Sequence, residues 1–539
     1  MNIPVFEHTI APLRTCIRDE AASLQNVAHL IKYDPGLFFS LLRFINGPAG
    51  RSEVSTVSQA ISLLGAEKVE RHILQQESFL DSSYLFFWCY TVLAGEIAAA
   101  LNRRADIAEE EEAFFAGILP SVGMLLMLGK EVSYRKVLEI LLKIPTEDKL
   151  FIEDRLFTTN HLEQLGGDPP LPKIYHDTLN VTRFLFAPEG LQASPSGDPT
   201  RYSAAYTSLQ LSHLTEAGAS GARCLLFPLV VEAQEKFKEL AKRYFRIPEN
   251  DVEELLADSI ERFEEVCREF GVQEEAEALL APAERAEPPV ITFRTASEPI
   301  KAALSEVEAA NRLERNIALH GEAGTGKRLL AVALHRRPDN PRRNKPFLSY
   351  HCKTLDNETL EIELFGSKGG FLGLEKHKGA LEMANGGSIL LKDIDALPLP
   401  LQEKLAEVFS KDEFYKIGET RPAAFDIRFF LTSRKDFVRE AEEGRFSARL
   451  LAALDPVSMH LPPLRERRPD IGLIADGIIE KYGLFIRDPA LCLGLSEYYE
   501  KDPFPGNLKS LKRLLWYLSA KHRLVAQVFQ QPPDSCHKY

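Results

Sequence analysis

Apolar residues along the first half of the chain recur at helical spacing. Leu24, Val27 and Leu30–Ile31 form one stripe, which Leu37, Leu41 and Leu42 continue after the turn signal Asp34-Pro35-Gly36. Residues 251–270 repeat the pattern, and strand signals are almost absent before residue 285, so this half reads as all-α. Residues 191–200, "LQASPSGDPT", read as a flexible loop within it. Downstream the pattern changes. Short apolar runs at 316–321, 346–352, 388–394, 425–433 and 457–461 alternate with amphipathic helices, which predicts a parallel sheet wrapped by helices. Residues 466–525 return to helical spacing and predict a small α-helical lid.

The change falls at 272–289, "VQEEAEALLAPAERAEPP", the tail of a helix followed by a linker rich in Ala, Glu and Pro. The expected division is 1–271 all-helical, 272–289 linker, 290–465 α/β, 466–525 helical lid and 526–539 tail. A length of 539 residues exceeds what one core can hold. With 45% hydrophobic and 27% charged residues, the composition is that of a soluble globular protein. No apolar run reads as a membrane span and "MNIPVFEHTI" lacks the form of a secretory signal, so a cytoplasmic protein with no membrane partner is expected. The seven cysteines are odd in number and form no CxxC pair, which favours reduced thiols over a disulfide framework or zinc site. A net charge of −13 argues against a general coating role on nucleic acid.

The strongest chemistry lies in "IALHGEAGTGKRLLAVALH" (317–335). A strand, a glycine-rich turn with GxxxxGK spacing and a helix follow one another, the context a phosphate-binding loop requires. Glycines let backbone N–H groups curl round phosphate oxygens, and the helix N-terminus adds its positive end. The candidate binding residues are Gly321, Glu322, Ala323, Gly324, Thr325, Gly326, Lys327 and Arg328. Lys327 would reach the β- and γ-phosphates as a point charge. Arg328 stands where Ser or Thr usually supplies a hydroxyl to magnesium. A second stretch, "SILLKDIDALP" (388–398), reads as a buried strand running into Lys392 and Asp393.

Together with "ELFG" (363–366), "ALEMANGGSILLKDIDALPLPLQEKL" (380–405), "LPPLRERRPDI" (461–471) and "FPGNLKSLKR" (504–513), residues 316–472 and their lid resemble the AAA+ domain of bacterial sigma-54-dependent transcription activators. The resemblance implies an α/β P-loop fold with a helical lid, ATP or ADP as ligand, and a role in transcription regulation. In that family a non-hydroxyl residue after the P-loop lysine is common. The family's Walker B strand ends in Asp-Glu, and those positions are Lys392 and Asp393 here. A lysine cannot bind a cation, and Asp393 is one methylene shorter than Glu, so no catalytic residue or metal ligand is assigned and magnesium's place is left open. Asp395 adds a third carboxylate on the turn beyond. The family's two arginine fingers fall on Ser447 and Ala453, with Arg445 and Arg449 nearby, and its lid sensor arginine falls on Lys509. Its sigma-contacting GAFTGA loop aligns with "GGFLGL", Gly369 to Leu374, with Leu372 at the threonine. The resemblance leaves no helix-turn-helix after the lid, so no direct DNA binding is expected.

"LIKYDPGLFFSLLRFINGP" (30–48), "VSQAISLLGAEKVERHIL" (57–74) and "AFFAGILPSVGMLLML" (113–128) resemble the HDOD domain, an all-helical relative of HD phosphohydrolases, as far as about residue 270. Where true HD enzymes carry metal-binding His-Asp, this chain has Pro120 and Ser121, and His161 and His176 lack such partners. A lone His is more often structural than a ligand, so no phosphohydrolase activity is expected. The leading reading is a signalling protein whose HDOD module is coupled to a pseudo-ATPase that binds nucleotide with little or no turnover. Its partners would be proteins, met through the HDOD domain and the Gly369–Leu374 loop, and a monomer or dimer is expected rather than a stable hexameric ring. One rival is an active sigma-54 activator ATPase working without its own DNA-binding domain; the other is a nucleotide-free interaction scaffold.

Overall fold

The computed structural model describes residues 3–19, 22–46, 54–75, 79–165, 172–186, 202–227, 231–245, 247, 249–280, 293–352, 357–368, 378–411, 413–424, 426–484 and 506–525. Two compact units divide the chain, Met1–Ala286 with Trp516–Tyr539, and Glu287–Leu515. The cut at 286/287 lies inside the expected linker stretch, of which Gln273–Leu280 is helical.

The first unit is built round two helices, Leu85–Ala105 (α1) and Glu110–Lys130 (α2), apolar on nearly every side. A helix of that kind belongs in a core. Helices Tyr202–Leu226 (α3) and Glu249–Glu269 (α4) pack on them. By length and composition α1 and α2 also pass for membrane spans, although 89% and 83% of their most apolar windows are buried in the unit. One exception to an all-α unit is a two-residue parallel pairing of Val5–Phe6 with Phe79–Leu80, too short to leave an alternating pattern. Beside it sits Asp34, fully buried. Its Oδ1 accepts from the Gly36 and Leu37 N–H groups at 2.9 Å each, capping helix Pro35–Ile45, and its Oδ2 accepts from the Phe6 N–H at 2.9 Å and from the Thr9 hydroxyl. Burial pushes the Asp34 carboxyl up to about 6, against the pull of those four donors.

The second unit holds a five-stranded parallel sheet. Its strands are Ile317–His320 (β1), Phe347–His351 (β2), Ser388–Lys392 (β3), Arg428–Ser433 (β4) and Val457–His460 (β5), in the order β2-β3-β4-β1-β5. Successive side chains of β3 and β4 feed opposite cores. Ile389, Leu391, Phe429 and Leu431 pack with Leu401 and Leu405 of helix Leu399–Lys411. Leu390 and Phe430 pack on the other face with Ile317, Leu319 and Leu330, Ala331 and Leu334 of helix Lys327–His335. Arg428 is buried at the sheet's lower edge, donating to Asn311 Oδ1 at 2.7 Å and to the Arg315 carbonyl at 3.1 Å. Of the expected lid, helices Pro469–Tyr482 and Leu508–Val525 are described, while 485–505 fall outside the described residues.

Asp34→Ala strips the acceptor from four buried donors and should lower the stability of the first unit by about 2–3 kcal/mol. Urea unfolding followed by tryptophan fluorescence checks this, since the Trp88 indole donates to the Tyr33 carbonyl at 2.9 Å, one residue from the cap. An unchanged midpoint would contradict the assignment of Asp34 as a structural cap.

Candidate nucleotide site

The site is assembled at the C-terminal edge of the sheet, between β1 and the helix Lys327–His335 (α5). Gly324 and Gly326 take φ of +77° and +101°, which side chains rarely adopt, so the turn depends on glycine at both. A Cβ on Gly324 would also lie 2.4 Å from the Gly506 carbonyl oxygen. Lys327, the first residue of α5, is 9% exposed and donates to the Gly321 carbonyl at 2.6 Å and the Glu322 carbonyl at 2.7 Å. Burial pushes its ammonium below the usual lysine range; Asp393, Asp395 and Glu322 oppose that shift and Arg434 adds to it. Thr325 is fully buried and donates to the Glu322 carbonyl at 3.0 Å, tightening the turn from within.

The loop is also tied to the residues that follow β5. Arg465 forks onto Glu322 with contacts of 2.8 and 2.5 Å, and this bidentate pair is what holds the Glu322 carboxyl down at about 2. Arg467, buried, donates to the Thr325 carbonyl. Asn507, buried at φ +50°, donates to the Ala323 carbonyl at 2.9 Å and accepts from the Leu464 N–H at 2.6 Å. The Leu508 N–H donates to the Gly324 carbonyl at 3.0 Å. Thus several loop carbonyls face the lid and are bonded there.

At the end of β3, Lys392 is half-buried and Asp393 leaves the strand in a left-handed conformation, φ +51°. The Asp393 N–H donates to Thr432 Oγ1 at 3.1 Å, and its Oδ2 lies 3.0 Å from His351 Nε2 at the end of β2. That contact, helped by the charges of Arg434 and Lys327, holds the Asp393 carboxyl below its ordinary range. Asp395 follows in a 3-10 turn, Ile394–Ala396, close enough to act electrostatically on Lys327. At the arginine-finger positions, Ser447 is the buried N-cap of helix Ala448–Leu454, with its hydroxyl accepting from the Leu450 N–H at 3.0 Å and donating to Glu403. Ala453 is half-buried on that helix. Arg445 is paired with Glu440 and Glu443, and Arg449 lies 3.7 Å from Glu403, so both arginines are engaged by acids of their own chain.

Of the residues named from sequence, Gly321 to Arg328, Lys392, Asp393 and Asp395 gather at this edge, while Lys509 stands exposed on the first turn of helix Leu508–Val525. The Gly369–Leu374 loop lies outside the described residues. Four further residues bond to this edge and are not among those named from sequence: His351, Thr432, Arg465 and Asn507. The last two sit inside quoted motifs, and His351 was recoverable from strand register, since it pairs with Lys392 across β2 and β3. In the first unit, His161 is a core residue. Its Nδ1 lies 2.6 Å from Glu153 Oε2, both fully buried, and the Tyr134 hydroxyl donates to Glu153 Oε1 at 2.5 Å, a core hydrogen-bond chain. His176 is exposed. Among the described residues no group of three or more His, Cys, Asp or Glu could hold a metal ion.

Residues 293–460 match the sigma-54 interaction domain family, and residues 3–167 match the HDOD domain family. The Nif-specific regulatory protein of Azospirillum brasilense is 34% identical over 220 residues, which is 39% of this chain and 34% of that protein. The DNA-binding transcriptional regulator NtrC of Salmonella typhimurium is 37% identical over 213 residues, 39% of this chain and 45% of that protein. The chain thus spans roughly a third to a half of the length of the curated relatives it matches. Among solved structures, NtrX from Brucella abortus in complex with ATP is 26% identical, covering 50% of this chain and 61% of that one at a TM-score of 0.40. The chain therefore carries an HDOD domain followed by a sigma-54 interaction domain of the kind found in transcription regulators.

Asn507→Ala removes three bonds that hold the phosphate loop and its flank, to the Ala323 carbonyl, the Glu322 carboxylate and the Leu464 N–H. Amide hydrogen exchange at Ala323–Gly326 should then quicken by about tenfold or more, because each bond is worth about 1 kcal/mol. Unchanged exchange there would mean that the loop is held by its own turn alone.

Proposed function

We propose that this chain is a cytoplasmic signalling protein of transcription regulation, in which an HDOD input module governs an AAA+ domain that binds ATP or ADP and hydrolyses it slowly or not at all. Binding is assigned to Gly321–Lys327, with Lys327 leaving its two carbonyl partners for phosphate oxygens and the N-terminus of α5 facing the same anion. The observation that carries the reading is an intact phosphate loop beside a strand that ends in Lys392-Asp393, with the Asp393 carboxylate engaged by His351. A carboxylate so engaged is drawn away from the in-line water that hydrolysis needs. Arginine fingers supplied by a neighbouring subunit are worth about 10³–10⁵ in rate in related phosphoryl transfers, and Ser447 and Ala453 supply none. The nucleotide then acts as a bound effector that sets the pose of the lid rather than as a fuel. Protein partners would be met through the HDOD domain and the Gly369–Leu374 loop.

Calorimetric titration of the full chain with ATP and ADP tests the reading. Lys327→Ala should weaken affinity by at least about tenfold, the worth of one charge-assisted hydrogen bond. Absence of binding by the wild-type chain at millimolar nucleotide would favour the empty scaffold. Light scattering in the presence of ATP should report a monomer or dimer, and a nucleotide-dependent hexamer would instead support an active activator.

A further inference from the structure

Helix Thr146–Phe157 carries a lysine amine into the core of the first unit. Lys149 is 1% exposed. Its Nζ lies 3.4 Å from the Tyr90 hydroxyl of α1 and 5.3 Å from the centroid of that ring. Among the described residues no carboxylate forms an ion pair with it. The two carboxylates whose charge reaches it are engaged elsewhere. Glu216 of α3 accepts from the Thr146 hydroxyl at 2.7 Å and from Arg223 Nη2 at 3.3 Å. Glu153, one turn along the same helix, is bonded by His161 and by the Tyr134 hydroxyl. All of these side chains are buried. Burial, with the Arg223 guanidinium beside it, pushes the Lys149 ammonium down to about 7, against the pull of Glu216 and Glu153. Lys149 thus changes charge across the neutral range, where an ordinary lysine does not.

We propose that Lys149 is a proton-operated latch of the first unit: uncharged, it lets helix Thr146–Phe157 stay closed on α1 and α3, and a proton taken from solvent onto its Nζ opens that helix. The inference concerns the first unit alone and does not depend on nucleotide. A charged amine closed into this site has neither water nor an acid to pair with, and the one long bond to Tyr90 does not offset that loss. Once the helix opens, Nζ regains the proton affinity of an ordinary lysine, so protons favour the open form. The sign follows from a closed-state value that is depressed. The closed form is most stable above the usual lysine range, weakens as pH falls toward about 7, and weakens no further below it. The groups that face Lys149 are Tyr90 on α1, Glu216 and Arg223 on α3, and Glu153 on its own helix, with His161 beyond Glu153.

Amide hydrogen exchange of the full chain at about pH 6 and about pH 8, each rate divided by the intrinsic rate of that amide, reads the opening of residues 146–157. In the wild type, opening should be about tenfold easier at the lower pH. Lys149→Met keeps the stem and removes the amine, and should be equally protected at both. Lys149→Gln should behave in the same way, so the result does not hang on the folding of one variant. Equal protection of the wild type at both pH values overturns the latch. A pH dependence that persists in either variant overturns it too, and moves the titration to the His161–Glu153 pair.

Discussion

The two-residue alternation of a buried strand is the constraint on which the functional edge depends. Ile389 and Leu391 are committed to one core and Leu390 to the other, so the register of residues 388–392 cannot slip without turning apolar side chains into the wrong layer. That commitment delivers residue 392 to the face shared with the phosphate loop, whatever side chain it carries. The packing of the strand rests on Ile389, Leu390 and Leu391, while Lys392 is half-buried at its end.

A second layer of control is the tether between loop and lid. Loop carbonyls accept from Lys327, Arg467, Asn507 and the Leu508 N–H, and Arg465 holds Glu322 from outside. A phosphate that attracts Lys327 competes with carbonyls at the base of that tether. Binding and lid pose would then be coupled through named hydrogen bonds.

Much of this was legible in the sequence, where the information is local. The strand–loop–helix run 317–335, the helical stripes of the first half and the alternation of the second depend on spacings of a few residues. What stayed hidden depends on residues far apart. His351 meets Asp393 across 42 positions, Arg465 meets Glu322 across 143 and Asn507 meets Ala323 across 184. The pairing of Val5–Phe6 with Phe79–Leu80 is hidden by its brevity as well as by its span. His161, read as structural rather than a metal ligand, is buried and meets Glu153 only eight positions away, a contact that a helix end creates and that no motif announces.

The central claim is that nucleotide is held at this edge without being spent. Incubating the full chain with γ-labelled ATP, isolating the complex by rapid filtration and identifying the bound nucleotide tests it most directly. The account predicts that bound nucleotide is recovered as triphosphate after many times the interval an ordinary NTPase needs for one turnover. Recovery as diphosphate, with phosphate released at about 1 s⁻¹ or faster, would contradict it.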